Sequence, residues 1–155
     1  MGPDPLWELS DKVIASCIEV HRHLGPGLLE SAYEAALCEE LTSRRIPFRR
    51  QCNFPVVYKG KALDQSYRID LVAAERLIVE VKAVEGLLPP VHAAQVLTYL
   101  RLTGIECGLL VNFNTELIRH GLRRVSLTPQ ILASRTSPPP RLPVKSRPAK
   151  SSQQS

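Results

Sequence analysis

Asp70, Glu80 and Lys82 have the residue types and the spacing to do chemistry together. They stand in Tyr67-Arg68-Ile69-Asp70-Leu71-Val72 and, after a short break, in Leu77-Ile78-Val79-Glu80-Val81-Lys82. Each half alternates, which predicts two strands. Tyr67, Ile69 and Leu71 are expected on one face of the first, with Arg68 and Asp70 on the other. In the second, Leu77, Val79 and Val81 oppose Ile78, Glu80 and Lys82. The break Ala73-Ala74-Glu75-Arg76 suits a hairpin. If its centre falls on Glu75, Asp70 faces Glu80 with Cβ atoms roughly 5 Å apart, whereas a slip of one residue separates them. Two carboxylates that close repel, so a cation must sit between them or one must keep a proton. With a lysine two residues on, such a pair is an oxygen-ligand site for a divalent cation with a point charge beside it. The same pattern also fits a structural ion pair or a solvated charged face, and alternation alone does not choose.

The elements that must position these residues follow in order. A first helix is predicted from about Leu6 to Leu24, with Leu6, Leu9, Val13, Ile14, Cys17, Ile18 and His21 at helical spacing. His21 and His23 are two apart and share no helix face, so they read as helix-end residues near carbonyls. Leu24-Gly25-Pro26-Gly27 breaks the chain. A second helix is expected over roughly Leu29 to Arg44, with Leu29, Ala32, Ala36, Leu37 and Leu41 on its buried side. Periodicity gives Glu30 a helix-dipole role in the first turn and makes Tyr33 a flank packing residue. Phe48 to Tyr58 reads as a strand that turns at Lys59-Gly60-Lys61 to pair with the strand of Asp70. Pro89 and Pro90 open a helix over about Val91 to Thr103, on which Gln95 and Tyr99 share a face. A buried strand (Ile105 to Phe113), a short turn near Glu116 to His120 and a last strand (Leu122 to Leu127) complete the reading.

At 155 residues the chain suits one domain with a full-sized core. It has no apolar run long enough for a membrane span and no signal-like apolar start, so a cytoplasmic protein is expected. Cys17, Cys38, Cys52 and Cys107 form no C-x-x-C pair and read as reduced core or near-core thiols. The net charge of +5 belongs to the C-terminal end. Arg135, Arg141, Lys145, Arg147 and Lys150 account for five of the twenty Lys and Arg residues, and no acid follows Glu116, which leaves fifteen charges of each sign in the body. Any nucleic-acid surface there must come from local clustering. The expected division is a folded domain over 1–130 and a disordered Pro-, Ser- and Lys/Arg-rich tail over 131–155.

The order of helix, three-stranded meander, helix and strand, with Asp70 and Glu80-Val81-Lys82 on adjacent strands, resembles the PD-(D/E)xK nuclease superfamily. More narrowly it resembles the GxxExxY family. That motif stands as Gly27-Leu28-Leu29-Glu30-Ser31-Ala32-Tyr33. Further blocks are Tyr58-Lys59-Gly60, Arg68-Ile69-Asp70, Gln95-Val96-Leu97-Thr98-Tyr99-Leu100 and Gly108-Leu109-Leu110-Val111-Asn112-Phe113, spread over about Val13 to Leu127. Ile69 replaces the proline of "PD".

The resemblance implies an α/β, restriction-endonuclease-like αβββαβ core, a mixed central sheet flanked by helices. It also implies phosphodiester hydrolysis, with DNA as the expected substrate. The implied catalytic set is Glu30, Asp70, Glu80, Lys82 and Gln95, with Tyr33 and Tyr99 in support. Asp70, Glu80, the Val81 carbonyl and Glu30 are the implied ligands of Mg²⁺, with Mn²⁺ as a substitute. Small nucleases often dimerise to cut two strands, so a homodimer is an option that no visible interface fixes. The alternative is a non-catalytic module that keeps the fold and binds nucleic acid or protein.

Overall fold

In the computed structural model, residues 4–127 are described. The expected tail, 131–155, lies outside them. Helix α1 spans Pro5–Leu24: the Asp4 carboxylate accepts from the Leu6 N–H at 2.9 Å, and Gly25 ends it at φ 64°. Helix α2 spans Glu30–Ser43. Strands β1 (Phe48–Tyr58), β2 (Lys61–Ala73) and β3 (Leu77–Lys82) follow as an antiparallel meander. Helix α3 (Pro90–Thr103) opens on proline and closes on Gly104 at φ 77°. It carries the chain to β4 (Cys107–Asn112), which lies parallel to β3, and a single 3-10 turn leads to antiparallel β5 (Leu122–Ser126). The result is a mixed five-stranded sheet in the order β1-β2-β3-β4-β5 with three helices, a restriction-endonuclease-like α/β fold.

Each face of the sheet has its own core. On one, Val13, Cys17, Tyr33 and Leu37 of α1 and α2 meet Leu71, Val79, Val81 and Leu109. On the other, Val96, Tyr99 and Leu100 of α3 meet Ile69, Ile78 and Leu110. All four cysteines are buried in these layers and none is in a disulfide. Gly108 marks where α3 presses closest. A Cβ there would stand 2.5 Å from Val96 Cγ1, and a β-branched side chain has little rotamer freedom to yield. Gly108→Ala is therefore expected to lower stability by about 1–3 kcal/mol. Adding Val96→Ala should recover part of the loss, a coupling that urea melts of the single and double variants would measure.

Three expectations about faces are corrected. Tyr67 and Ile69 pack towards α3, but Leu71 packs towards α1 and α2, so the three do not share a face. The alternation breaks at Asp70, where the β1–β2 ladder runs from Arg50↔Leu71 to Cys52↔Ile69 in unchanged register but leaves out both Asp70 and the facing Gln51, whose φ is +54°. On α1, Ile18 is exposed, and Ser10, Ser16 and Val20 join the buried stripe. On α2, Leu29 lies before the helix and is 77% exposed, and Ala32 is exposed too. The buried side is Tyr33, Glu34, Leu37, Cys38 and Leu41, so Tyr33 is a core residue.

Candidate active site

The hairpin register is the expected one. Leu71↔Val79, Val72↔Ile78 and Ala73↔Leu77 centre on Glu75, and Ala74 and Glu75 take the left-handed backbone that so tight a reversal needs. Beyond Leu71 the two strands stop pairing, and side chains replace the ladder. The Asp70 N–H donates to Glu80 Oε1 at 3.2 Å, and the Val81 N–H donates to Asp70 Oδ2 at 2.9 Å. Each carboxylate thus satisfies a backbone donor of the opposite strand, where a gap in a buried sheet would otherwise leave two orphans.

Holding two acids there perturbs both. Burial is the largest cause, and it raises Asp70 to about 6 and Glu80 to about 8. The Asp70 charge pushes Glu80 up further, and the charges of Glu34 and Glu30 push Asp70 the same way. Lys82 opposes this from 3.5 Å, its Nζ facing Glu80 Oε2. Glu80 is 2% exposed, so this ammonium is its near counter-charge within a largely desolvated pair.

Helix α2 brings the next group. The Tyr33 hydroxyl donates to the Gly25 carbonyl at 2.5 Å and accepts from the Leu28 N–H at 3.1 Å. Its ring stacks on Phe113 with centroids 4.7 Å apart. The Gly27 N–H donates to Asn114 Oδ1 at 3.1 Å. The loop before α2 is therefore bolted to the chain leaving β4, which fixes the first helical turn and Glu30. Phe113 and Asn112 also hold the chain beyond Lys82: the Phe113 N–H donates to the Lys82 carbonyl, and the Asn112 amide bonds both Val84 backbone groups. Tyr33→Phe keeps the stack but orphans these loop partners, so a loss of about 1–3 kcal/mol is expected in chemical denaturation.

Two clefts flank the carboxylate pair. One, of about 530 Å³, is lined by Glu30, Glu34, Gln51, Arg68 and Asp70 among others. The other, of about 450 Å³, is lined by Tyr67, Lys82, His92, Gln95 and Thr98 among others. Glu30 and Asp70 therefore share one cleft, while Lys82 and Gln95 share the second. Glu80 links them through Asp70 and Lys82. Tyr99 is buried behind the pair, its hydroxyl donating to the Arg68 carbonyl at 3.4 Å and its pKa raised by burial and by the charges of Glu80 and Asp70.

Glu34 and Gln51 escape the sequence reading. The Glu34 carboxylate is buried against Arg50, at 2.9 Å and 3.1 Å, and accepts from the Gln51 side-chain amide. Its spacing of four from Glu30 is the signal that reveals it, because the two stand one helical turn apart on one face.

Among the described residues, no three His, Cys, Asp or Glu side chains gather into a metal cage. Two carboxylates beside an open cleft suit a different demand: Mg²⁺ keeps several waters and takes one or two carboxylates together with substrate oxygens. The donors of Asp70 and Glu80 are hard oxygens, and Asp70 Oδ2 and Glu80 Oε1 are already aligned by backbone N–H groups. The donor set fits that ion.

A mixed sheet that splays to set an Asp against a Glu-x-Lys, with acidic α2 alongside, defines the restriction-endonuclease-like class. The family profile of the PD-(D/E)XK nuclease superfamily matches residues 7–125, and the chain belongs to that superfamily. It matches no curated protein and no solved structure. Among the described residues no helix is long and apolar enough to cross a membrane.

Proposed function

We propose that the protein is a metal-dependent nuclease that hydrolyses phosphodiester bonds in DNA, and that it belongs to the GxxExxY branch. The observation that carries this reading is the cross-lacing of Asp70 and Glu80 through the gap between β2 and β3, with Lys82 beside them. The ordered motif blocks from Gly27 to Phe113 support the branch.

Asp70 and Glu80, with the Val81 carbonyl, would hold Mg²⁺, or Mn²⁺ in its place. When bound, the ion supplies Lewis acidity towards a phosphate oxygen and lowers the pKa of water. Lys82 orients the attacking water and offsets negative charge as it develops on the phosphorus oxygens. Gln95 lines the same cleft and donates a hydrogen bond to water or to a phosphate oxygen. Glu30, exposed and lining the same cleft as Asp70, would add a further carboxylate to the ion's surroundings. Arg68 lines that cleft too and offers a guanidinium to the phosphate backbone.

The test is cleavage of single- and double-stranded DNA with Mg²⁺ or Mn²⁺ by the wild-type chain and by Asp70→Ala. The expected result is metal-dependent cleavage that the substitution abolishes. Equal cleavage by both chains would assign the activity to a contaminant. Absence of Mn²⁺ uptake in calorimetry would favour a binding module on the same fold.

A further inference from the structure

The two clefts beside the carboxylate pair differ in charge and in character. Glu30, Glu34 and Asp70 place three carboxylates on the first. The second has no acidic residue among those lining it. Its walls come from three elements: Tyr67 of β2, Lys82 of β3, and His92, Gln95 and Thr98 of α3. A polyanion approaching the site meets three carboxylates and the single guanidinium of Arg68 on the α2 side, and an ammonium, an imidazole and an amide with no acid on the α3 side. Tyr67 adds an aromatic ring, set edge-on to Tyr99 with centroids 5.9 Å apart and so braced by a buried neighbour. At about 450 Å³ the space is large enough for one nucleotide.

We propose that this α3-side cleft is a nucleotide subsite. It seats one unpaired nucleotide next to the bond to be cut, with its phosphate among Lys82, His92 and Gln95 and its base against Tyr67. The inference rests on the nuclease reading and narrows it to strands whose bases are unstacked at the site, because a base inside a duplex cannot reach the ring. Tyr67 and His92 then select substrate, while the carboxylates and Lys82 do the chemistry.

Binding to the full chain in EDTA tests this without cleavage. NMR titrations would compare dTMP, thymidine and inorganic phosphate. The expected result is dTMP binding at least tenfold tighter than either fragment, with shifts on Tyr67, His92 and Gln95. Tyr67→Ala should weaken dTMP roughly tenfold and leave phosphate unchanged. Tyr67→Leu, which keeps apolar packing against Tyr99, should do the same if the alanine chain folds poorly. His92→Ala should weaken dTMP and phosphate but not thymidine. Phosphate binding as tightly as dTMP, indifference to both Tyr67 variants, or shifts confined to the Glu30–Glu34 cleft would each overturn the proposal. A chain that binds dTMP in this way yet cleaves no DNA sinks the hydrolytic reading alone. One that cleaves but shows no dTMP preference sinks the subsite alone.

Discussion

Lys82→Ala is expected to reduce metal-dependent DNA cleavage by roughly 10²–10⁴-fold while the chain stays folded. Lys82 ends β3, and its ammonium stands 3.5 Å from Glu80 in a site where little water screens it. Charge that develops on a phosphate during hydrolysis is offset there far more strongly than in bulk solvent. Removing the ammonium also leaves Glu80 without that counter-charge, so Glu80 holds its proton to higher pH and the loss deepens as pH falls. Lys82→Arg keeps the charge but presents a planar fork in place of a compact ammonium, so only partial recovery is expected. Single-turnover cleavage with Mn²⁺, measured across pH for wild type, Lys82→Ala and Lys82→Arg, checks the order. Unchanged rates in the alanine chain would remove Lys82 from the machinery.

The second large effect needs no substrate. Asp70 and Glu80 are raised from 3.8 and 4.5 to about 6 and about 8. The folded chain therefore holds protons that the unfolded chain releases between about pH 4 and pH 8. Stability falls as pH rises through that window, the reverse of the usual salt-bridged carboxylate. Each pKa unit is worth about 1.4 kcal/mol, so the pair withdraws several kcal/mol by the upper end. Glu80→Gln keeps the shape and an oxygen to accept from the Asp70 N–H, but carries no charge. Urea melts at several pH values in EDTA should show a shallower pH slope for this variant and greater stability than wild type near pH 8. Mn²⁺ should restore stability to wild type there and do little for Glu80→Gln. Parallel slopes for the two chains would mean that the acids are not held against their charge.

Much of this was legible in the residues. The register that sets Asp70 against Glu80 follows from two alternating runs and a short turn, which agree on one centre. The helices were bounded well because Gly25, Pro90 and Gly104 act within a residue or two of where they stand. The faces were harder. Nothing local announces that Gln51, a residue with a Cβ, takes φ +54°, or that the alternation of β2 reverses at the facing Asp70. Glu34 was missed for a related reason. A carboxylate on a helix reads as solvated until Arg50 and Gln51, brought from a separate strand, make its burial tolerable. Leu29 misled in the opposite direction, because an apolar residue just ahead of a helix looks like the start of its buried stripe.

The lacing between β2 and β3 also gives the molecule two internal reporters. The amide protons of Asp70 and Val81 are bound by carboxylate oxygens where ordinary strands would use carbonyls. Their chemical shifts and hydrogen-exchange rates must follow the protonation and ion occupancy of those acids, so two NMR resonances disclose the electrical state of the centre before any nucleic acid is added.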